Sequence, residues 1–252
     1  MEDLQLLNSL ANHRNIDIAA FSNALHLCPT KLKVAELNDQ KLIDQHIPVL
    51  RIKAVHSGAR AQNRKEDCRG LAKSIVVGRG CRVMITANLW TAAGIVNGAT
   101  GVVKDILWSD GCTEHRKTFP WVIMVKIDSF TRSTPFRSST DPSDCNWVPI
   151  PSCTQKWFEG AQQCSRRQFP IRLAYAITIH KSQGLTLDKV KLYIEGTRDR
   201  QNGLTYTALS RVRRIDDIML MTPINLSRLS SLHNTSVERR LTDERRRYPP
   251  PE

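Results

Sequence analysis

From Val96 to about residue 168 the chain drops the alternation of strand-like and helix-like segments that flanks this stretch on both sides. The runs VVKDILW, FPWVIMVKI and NWVPI are short, β-branched and aromatic, and turns rich in Gly, Pro, Ser and Asp separate them. That texture fits a small β-barrel of roughly 60–70 residues, with a long decorated β-hairpin on one larger domain as the alternative. After Pro170 the other texture returns: RLAYAITI and KVKLYIEG read as apolar strands, GLTYTALSRVRR as a helix and DIMLMT as a further strand. This is the material of a doubly wound parallel sheet, whose ligands sit beyond the carboxyl ends of its strands. The expected architecture is therefore an α/β domain, residues 1–98 with 169–233, interrupted by a β-rich insert at 99–168. The tail, 234–252, has mixed charge and three prolines and is expected to be disordered.

Ahead of the insert, NIDIAAFSNAL has helical spacing, LHLC is short and extended, and PTKLKVAELNDQKL restarts a helix with Thr30 as N-cap. IPVLRIKAV (47–55) alternates like a strand, and SGARAQNRKEDCRG (57–70) reads as a polar, basic loop. SIVVGRGCRVMIT (74–86) resembles a hairpin, two β-branched runs about a tight GRG.

Charge narrows the partners. Lysine plus arginine exceeds aspartate plus glutamate by 37 − 24 = 13. Such a surplus favours a polyanion, nucleic acid first, over a merely solubilising surface. No apolar run approaches the ~18 residues needed to cross a bilayer, and MEDLQLLNSL has neither the basic start nor the long apolar core of a signal peptide, so an intracellular protein without a membrane partner is expected. The seven cysteines are odd in number and never form a CxxC pair, which speaks against a disulfide frame and a zinc ribbon. Cys112 and His115 make one CxxH without a partner pair, and no metal held by protein ligands alone is expected.

Two segments carry chemistry. Leu173–Ile179 is apolar enough for a buried central strand, which puts His180–Gly184 at its carboxyl end. Lys181 supplies a point charge, Thr178, Ser182 and Gln183 supply hydrogen-bonding groups, and Gly184 permits a tight turn or close approach to a phosphate. A nucleotide or a polyanion suits this loop, and so does an ordinary polar βα turn. In TYTALSRVRR, Tyr206, Leu209 and Val212 recur every third residue as one apolar face, expected in the core. Thr207, Arg211 and Arg214 fall on another face, where the arginines either project toward a phosphate chain or stand solvated.

RLAYAITIHKSQGLTLDKV followed by GLTYTALSRV resembles two motifs of the PIF-type DNA helicases of superfamily one, relatives of the RecD helicases. LCPTKLKVAELN is similar to the opening of their second RecA-like domain, and GCRVMITANLWTAAGIVNGATGVV to the run leading into their SH3-like subdomain; the resemblance covers about residues 20–220. It implies a RecA-like parallel sheet with an inserted SH3-like barrel. It implies that Arg211 is an arginine finger on the ATP γ-phosphate, with Gln183 and Gly184 near the nucleotide, and that Thr178, His180, Lys181 and Asn97 contact single-stranded DNA. Gly98, beside Asn97, suits a structural turn as well as a DNA contact.

One departure limits what is implied. The family needs a P-loop and a paired Asp-Glu that holds Mg²⁺, yet no Gly-Lys pair occurs in this sequence and its only Asp-Glu, Asp243-Glu244, lies in the charged tail. The expectation is the C-terminal half of a 5′-to-3′ ATP-dependent helicase of repair, recombination and telomere maintenance, nuclear with the mitochondrion as alternative. ATP and Mg²⁺ would belong to the intact enzyme, with neither bound tightly by this chain alone. A missing N-terminal RecA-like domain would complete it. The rival expectation is a non-catalytic single-stranded DNA-binding or interaction module, a relic of a helicase or mobile element.

Overall fold

The computed structural model describes residues 17–58, 60–62, 68–109, 118–130, 132, 134, 136, 141, 144–194, 203–224, 242, 243 and 246. The expected tail disorder and the Cys112–His115 pair lie outside these residues, apart from 242, 243 and 246. In chain order the strands and helices begin with β1 (Leu25–Cys28), α1 (Lys31–Asp44), β2 (Leu50–Lys53), β3 (Val55–Ser57), β4 (Ser74–Val77) and β5 (Arg82–Ile85). Then come β6 (Thr100–Leu107), β7 (Val122–Ile127), β8 (Trp147–Pro151), β9 (Cys153–Glu159), β10 (Gln162–Gln168) and β11 (Ile171–Leu173). Last are β12 (Ala176–Thr178), β13 (Val190–Leu192), α2 (Leu204–Leu209) and β14 (Ile218–Leu220). The chain divides into two compact units, 1–35 with 176–252, and 36–175.

The first unit is built on a four-stranded sheet of order β12-β1-β13-β14, parallel throughout. Its registers pair Cys28 with Thr178, so the carboxyl ends of β1 and β12 fall at one edge. Leu27, Val190, Leu192 and Leu220 are fully buried, as in a parallel sheet covered on both faces. Thr30 caps α1 as its sequence requires: the Lys33 N–H donates to Thr30 Oγ1 at 3.2 Å. Lys33 Nζ lies 5.7 Å from the Tyr193 ring centroid, and that ring stacks on His26 at 5.6 Å. Of the helix expected over NIDIAAFSNAL, the described part is one 3-10 turn, Ile18–Phe21, capped by the Asp17 carboxylate. The turn stops there because β1 begins at Leu25.

The second unit is antiparallel and β-rich, compatible with an inserted small β domain. A five-stranded sheet runs β11-β5-β6-β7-β8, a three-stranded one β3-β10-β9, and β2 pairs with β4. Ile52, Val77, Ile85, Val103, Ile123 and Phe169 share its core. Residues 99–168 lie within this unit, and so do the strands of 36–98, which the sequence assigns to the α/β domain.

Two strand assignments change. The GRG segment makes no hairpin: β4 pairs with β2, while β5 pairs with β6 and β11, and the Gly80 N–H donates to Val103 O at 2.8 Å. RLAYAITI is not one strand but two, β11 antiparallel to β5 and β12 parallel to β1, and among the described residues β12 is an edge strand of its sheet rather than a central one. The break is held by Tyr175. Its N–H donates to Asn38 Oδ1 at 3.0 Å, its hydroxyl donates to Gln45 Oε1 at 2.8 Å, and that hydroxyl accepts from the Arg82 N–H at 3.1 Å.

Lys104 sits at an irregularity between the β6 and β7 ladders and donates to Asp144 Oδ2 at 2.7 Å; Lys126 donates to Asp144 Oδ1 at 3.0 Å. Burial alone would raise the Asp144 pKa, but the two lysines pull it down from 3.8 to about 2. A depressed carboxylate pKa contributes stability that is present above the unfolded value and lost as pH falls through the folded one. Stability is therefore expected to drop by on the order of 1 kcal/mol between about pH 4 and about pH 2, the half-exposed Lys126 screening part of the effect. Urea melts across that range check this, and Asp144→Asn should flatten the profile.

Candidate nucleotide and strand site

Beyond Thr178 the chain leaves the sheet in one 3-10 turn, Ile179–Ser182. Ile179 and Ser182 are buried in this turn, whereas His180, Lys181, Gln183 and Gly184 are exposed and Thr178 is half-buried. Ser182 Oγ donates to Ile179 O at 2.7 Å, and the Leu185 N–H donates to Ser182 O at 2.9 Å. Gly184 follows at φ +83°, where no atom would touch an added Cβ; the backbone conformation, not a shortage of space, calls for glycine. Three of the residues singled out in the sequence, His180, Lys181 and Ser182, thus share one turn, with Gln183 and Gly184 directly after it, at the carboxyl edge of a parallel sheet, where such sheets bind ligands.

Arg211 joins them. Its Nη1 donates to the carbonyls of Leu185 at 3.2 Å and Ser182 at 3.4 Å, its Nε to Thr207 O at 2.8 Å, and its Nη2 to Ser210 Oγ at 2.9 Å. In return its own carbonyl accepts from the Leu187 N–H at 2.8 Å. The fork of the guanidinium suits it to hold several carbonyls at once, which an ammonium cannot do. The side chain is a clasp between the end of α2 and the polar turn after β12.

This same clasp explains why the helix is shorter than its sequence suggests. α2 ends at Leu209, and the Arg211 carbonyl is spent on Leu187 rather than on another helical turn. Arg214 therefore does not share a helical face with Arg211; it pairs with Asp216 at 3.0 Å, both side chains exposed. Nor is Tyr206 in the core, being 74 % exposed, because Leu204, Thr205 and Ala208 are the buried positions of α2. Asn97 belongs to the second unit, exposed, with its N–H on Asn88 Oδ1 at 2.9 Å. Its neighbour Gly98 adopts φ +98° and donates to Ile85 O at 2.9 Å, a structural task. Sequence reasoning missed Leu185 and Leu187, which act through their backbones; the Thr207–Arg211 spacing was the available signal.

Among the described residues no three His, Cys, Asp or Glu side chains gather as metal ligands. The polar turn and Arg211 do fit phosphate oxygens. No described helix is long and apolar enough to cross a membrane.

No family model matches the chain. It is 30% identical over 199 residues to an ATP-dependent DNA helicase PIF1 of Danio rerio, covering 79% of this chain and 27% of that protein. To an ATP-dependent DNA helicase Pif1 of Campylobacter jejuni it is 29% identical over 205 residues, 73% of this chain and 39% of that protein. A crystal structure of Bacteroides Pif1 bound to ssDNA superposes with a TM-score of 0.63 at 26% identity, over 98% of this chain and 50% of that one. The chain spans half or less of each of these proteins.

Proposed function

Because this chain shares its sequence and its RecA-like fold with the PIF-type DNA helicases over most of its length, we propose that it is the C-terminal motor half of an ATP-dependent DNA helicase. The observation that carries the reading is the Arg211 clasp: the arginine that would face a γ-phosphate is bonded to the turn that would grip a strand. In this reading Arg211 neutralises charge as the phosphoryl group leaves, and Gln183 and Gly184 lie toward the nucleotide. Thr178, His180, Lys181 and Asn97 meet the backbone of single-stranded DNA. Bacteroides Pif1, to which this chain is similar, has been solved bound to single-stranded DNA and in complex with ADP-AlF4, which supports both ligands. ATP, when bound, supplies the transferred phosphoryl group and Mg²⁺ its charge neutralisation; since the sequence holds no Gly-Lys pair, the phosphate cradle comes from an N-terminal RecA-like domain outside these 252 residues. Translocation 5′ to 3′, service in repair, recombination and telomere maintenance, and residence in the nucleus, or else the mitochondrion, belong to the same proposal.

Isolated, the chain is expected to bind single-stranded DNA, to lose roughly tenfold in affinity between ~50 and ~200 mM salt as two or so phosphates are given up, and to hydrolyse no ATP. Fluorescence anisotropy and a phosphate-release assay test this. An affinity indifferent to salt would rule out phosphate contacts, and DNA-stimulated hydrolysis abolished by Arg211→Ala would show that the chain is a whole engine. The missing Gly-Lys pair also favours a second reading, a non-catalytic single-strand-binding module; inactivity even when a P-loop domain is supplied in trans is its expected mark.

A further inference from the structure

The second unit displays an aromatic residue in a way the polar turn does not explain. Trp90 begins a narrow loop that is tied shut at its base. The Leu89 and Trp90 N–H groups both donate to Ile95 O at 3.0 Å, the Ile95 N–H returns a bond to Trp90 O at 3.1 Å, and Asn97 closes on Asn88. Ala93 and Ile95 are buried and anchor the loop, and Gly94 turns it at φ +78°. The Arg132 guanidinium carbon lies 5.3 Å from the centre of the Trp90 ring, and its Nη2 donates to Ala92 O at 3.3 Å. Phe130 supports the ring from one side, at 6.4 Å and 54°. Even with both neighbours in place Trp90 is 47% exposed.

We propose that Trp90 and Arg132 form a stacking platform for an unpaired base of a single strand, the ring meeting the base and the guanidinium meeting the adjacent phosphate. Three observations favour a nucleic acid over a protein partner. The indole is held on a loop rigid enough to lose little freedom on binding, a cation is already packed against it, and the chain carries a surplus of 13 positive charges. Asn97, a candidate strand contact from the sequence, lies at the base of the same loop. The platform rests on the single-strand reading above and adds to it a contact in the second unit. Stacking tolerates any base, so the contact holds the strand without reading its sequence.

The test uses an oligonucleotide of about 15 thymidines carrying one 5-iododeoxyuridine, at low salt. Trp90→Ala is expected to weaken binding roughly thirtyfold, the middle of the range for one stacked base; Arg132→Gln should weaken it less and lower the salt dependence. Trp90→Phe, which keeps a stacking face, should recover most of the affinity, an outcome that loss of folding cannot imitate. Irradiation should crosslink the iodouridine to the peptide holding Trp90. Equal affinity of Trp90→Ala and the unaltered chain, or a crosslink that maps only elsewhere, overturns the platform while leaving single-strand binding intact. If the unaltered chain binds no oligonucleotide, the platform falls together with the reading beneath it.

Discussion

Arg211→Ala is expected to destabilise the first unit by about 2 kcal/mol and, in an assembly that hydrolyses ATP, to cost at least ~10³-fold in turnover. The stability term follows from four hydrogen bonds, three to carbonyls of Thr207, Ser182 and Leu185 and one to Ser210 Oγ. Charge-assisted bonds contribute about 1.5–3 kcal/mol each when buried, but Arg211 is half-buried and water replaces part of what is lost. Arg211→Lys keeps the charge and not the fork, and should restore well under half of the effect. Urea melts give the free energy, and amide exchange at Leu185 and Leu187 localises it. Unchanged exchange at both amides in Arg211→Ala would mean that the clasp is not formed in solution.

Phe169→Ala should have the larger effect on folding, about 3–5 kcal/mol, confined to the second unit. Phe169 is fully buried, stacked on Phe119 at 5.1 Å and 7°, and Phe119 carries the Arg167 guanidinium 4.7 Å from its ring centre. Alanine leaves a cavity beneath Phe119 and removes the ring on which it stacks. The adjacent Gln168 is also buried, its side chain tied to Ile52 O at 3.1 Å and to the Phe169 N–H at 2.9 Å, so the strand cannot easily slide inward to fill the void. All five tryptophans, 90, 108, 121, 147 and 157, lie between residues 36 and 175. Tryptophan emission excited at the red edge, where tyrosine does not absorb, therefore reports the second unit alone, and a thermal melt followed by it should shift in Phe169→Ala. Phe169→Leu should cost under about 1.5 kcal/mol; equal effects of the two substitutions would contradict the cavity argument.

The polar turn was legible because its signal is local. An apolar β-branched run followed at once by His180, Lys181, Ser182 and Gln183 says that a strand ends at something polar, whatever its partners are. Thr30 was legible for the same reason, since a cap and its helix are neighbours in sequence. What failed was pairing. Periodicity marks SIVV and RVMI as strands but holds nothing about which strand lies beside each, and their partners, β2 and β6, are distant in sequence. The split of RLAYAITI depends on Asn38, Gln45 and Arg82 reaching Tyr175, three contacts 137, 130 and 93 residues away. Tyr206 misled because a six-residue helix offers less than two turns in which to fix the phase of its buried face.

The turn after β12 is 3-10 rather than α-helical, and three residues complete each revolution. Ile179 and Ser182 consequently eclipse one another on the inner side, and His180 and Lys181 have no choice but to face out. Inserting or deleting a single residue there would rotate this arrangement by about a third of a revolution. A lysine would then be forced toward the packed interior and an isoleucine into water. The turn can exchange one polar side chain for another at little cost, but its residue count is fixed by the geometry of the winding itself.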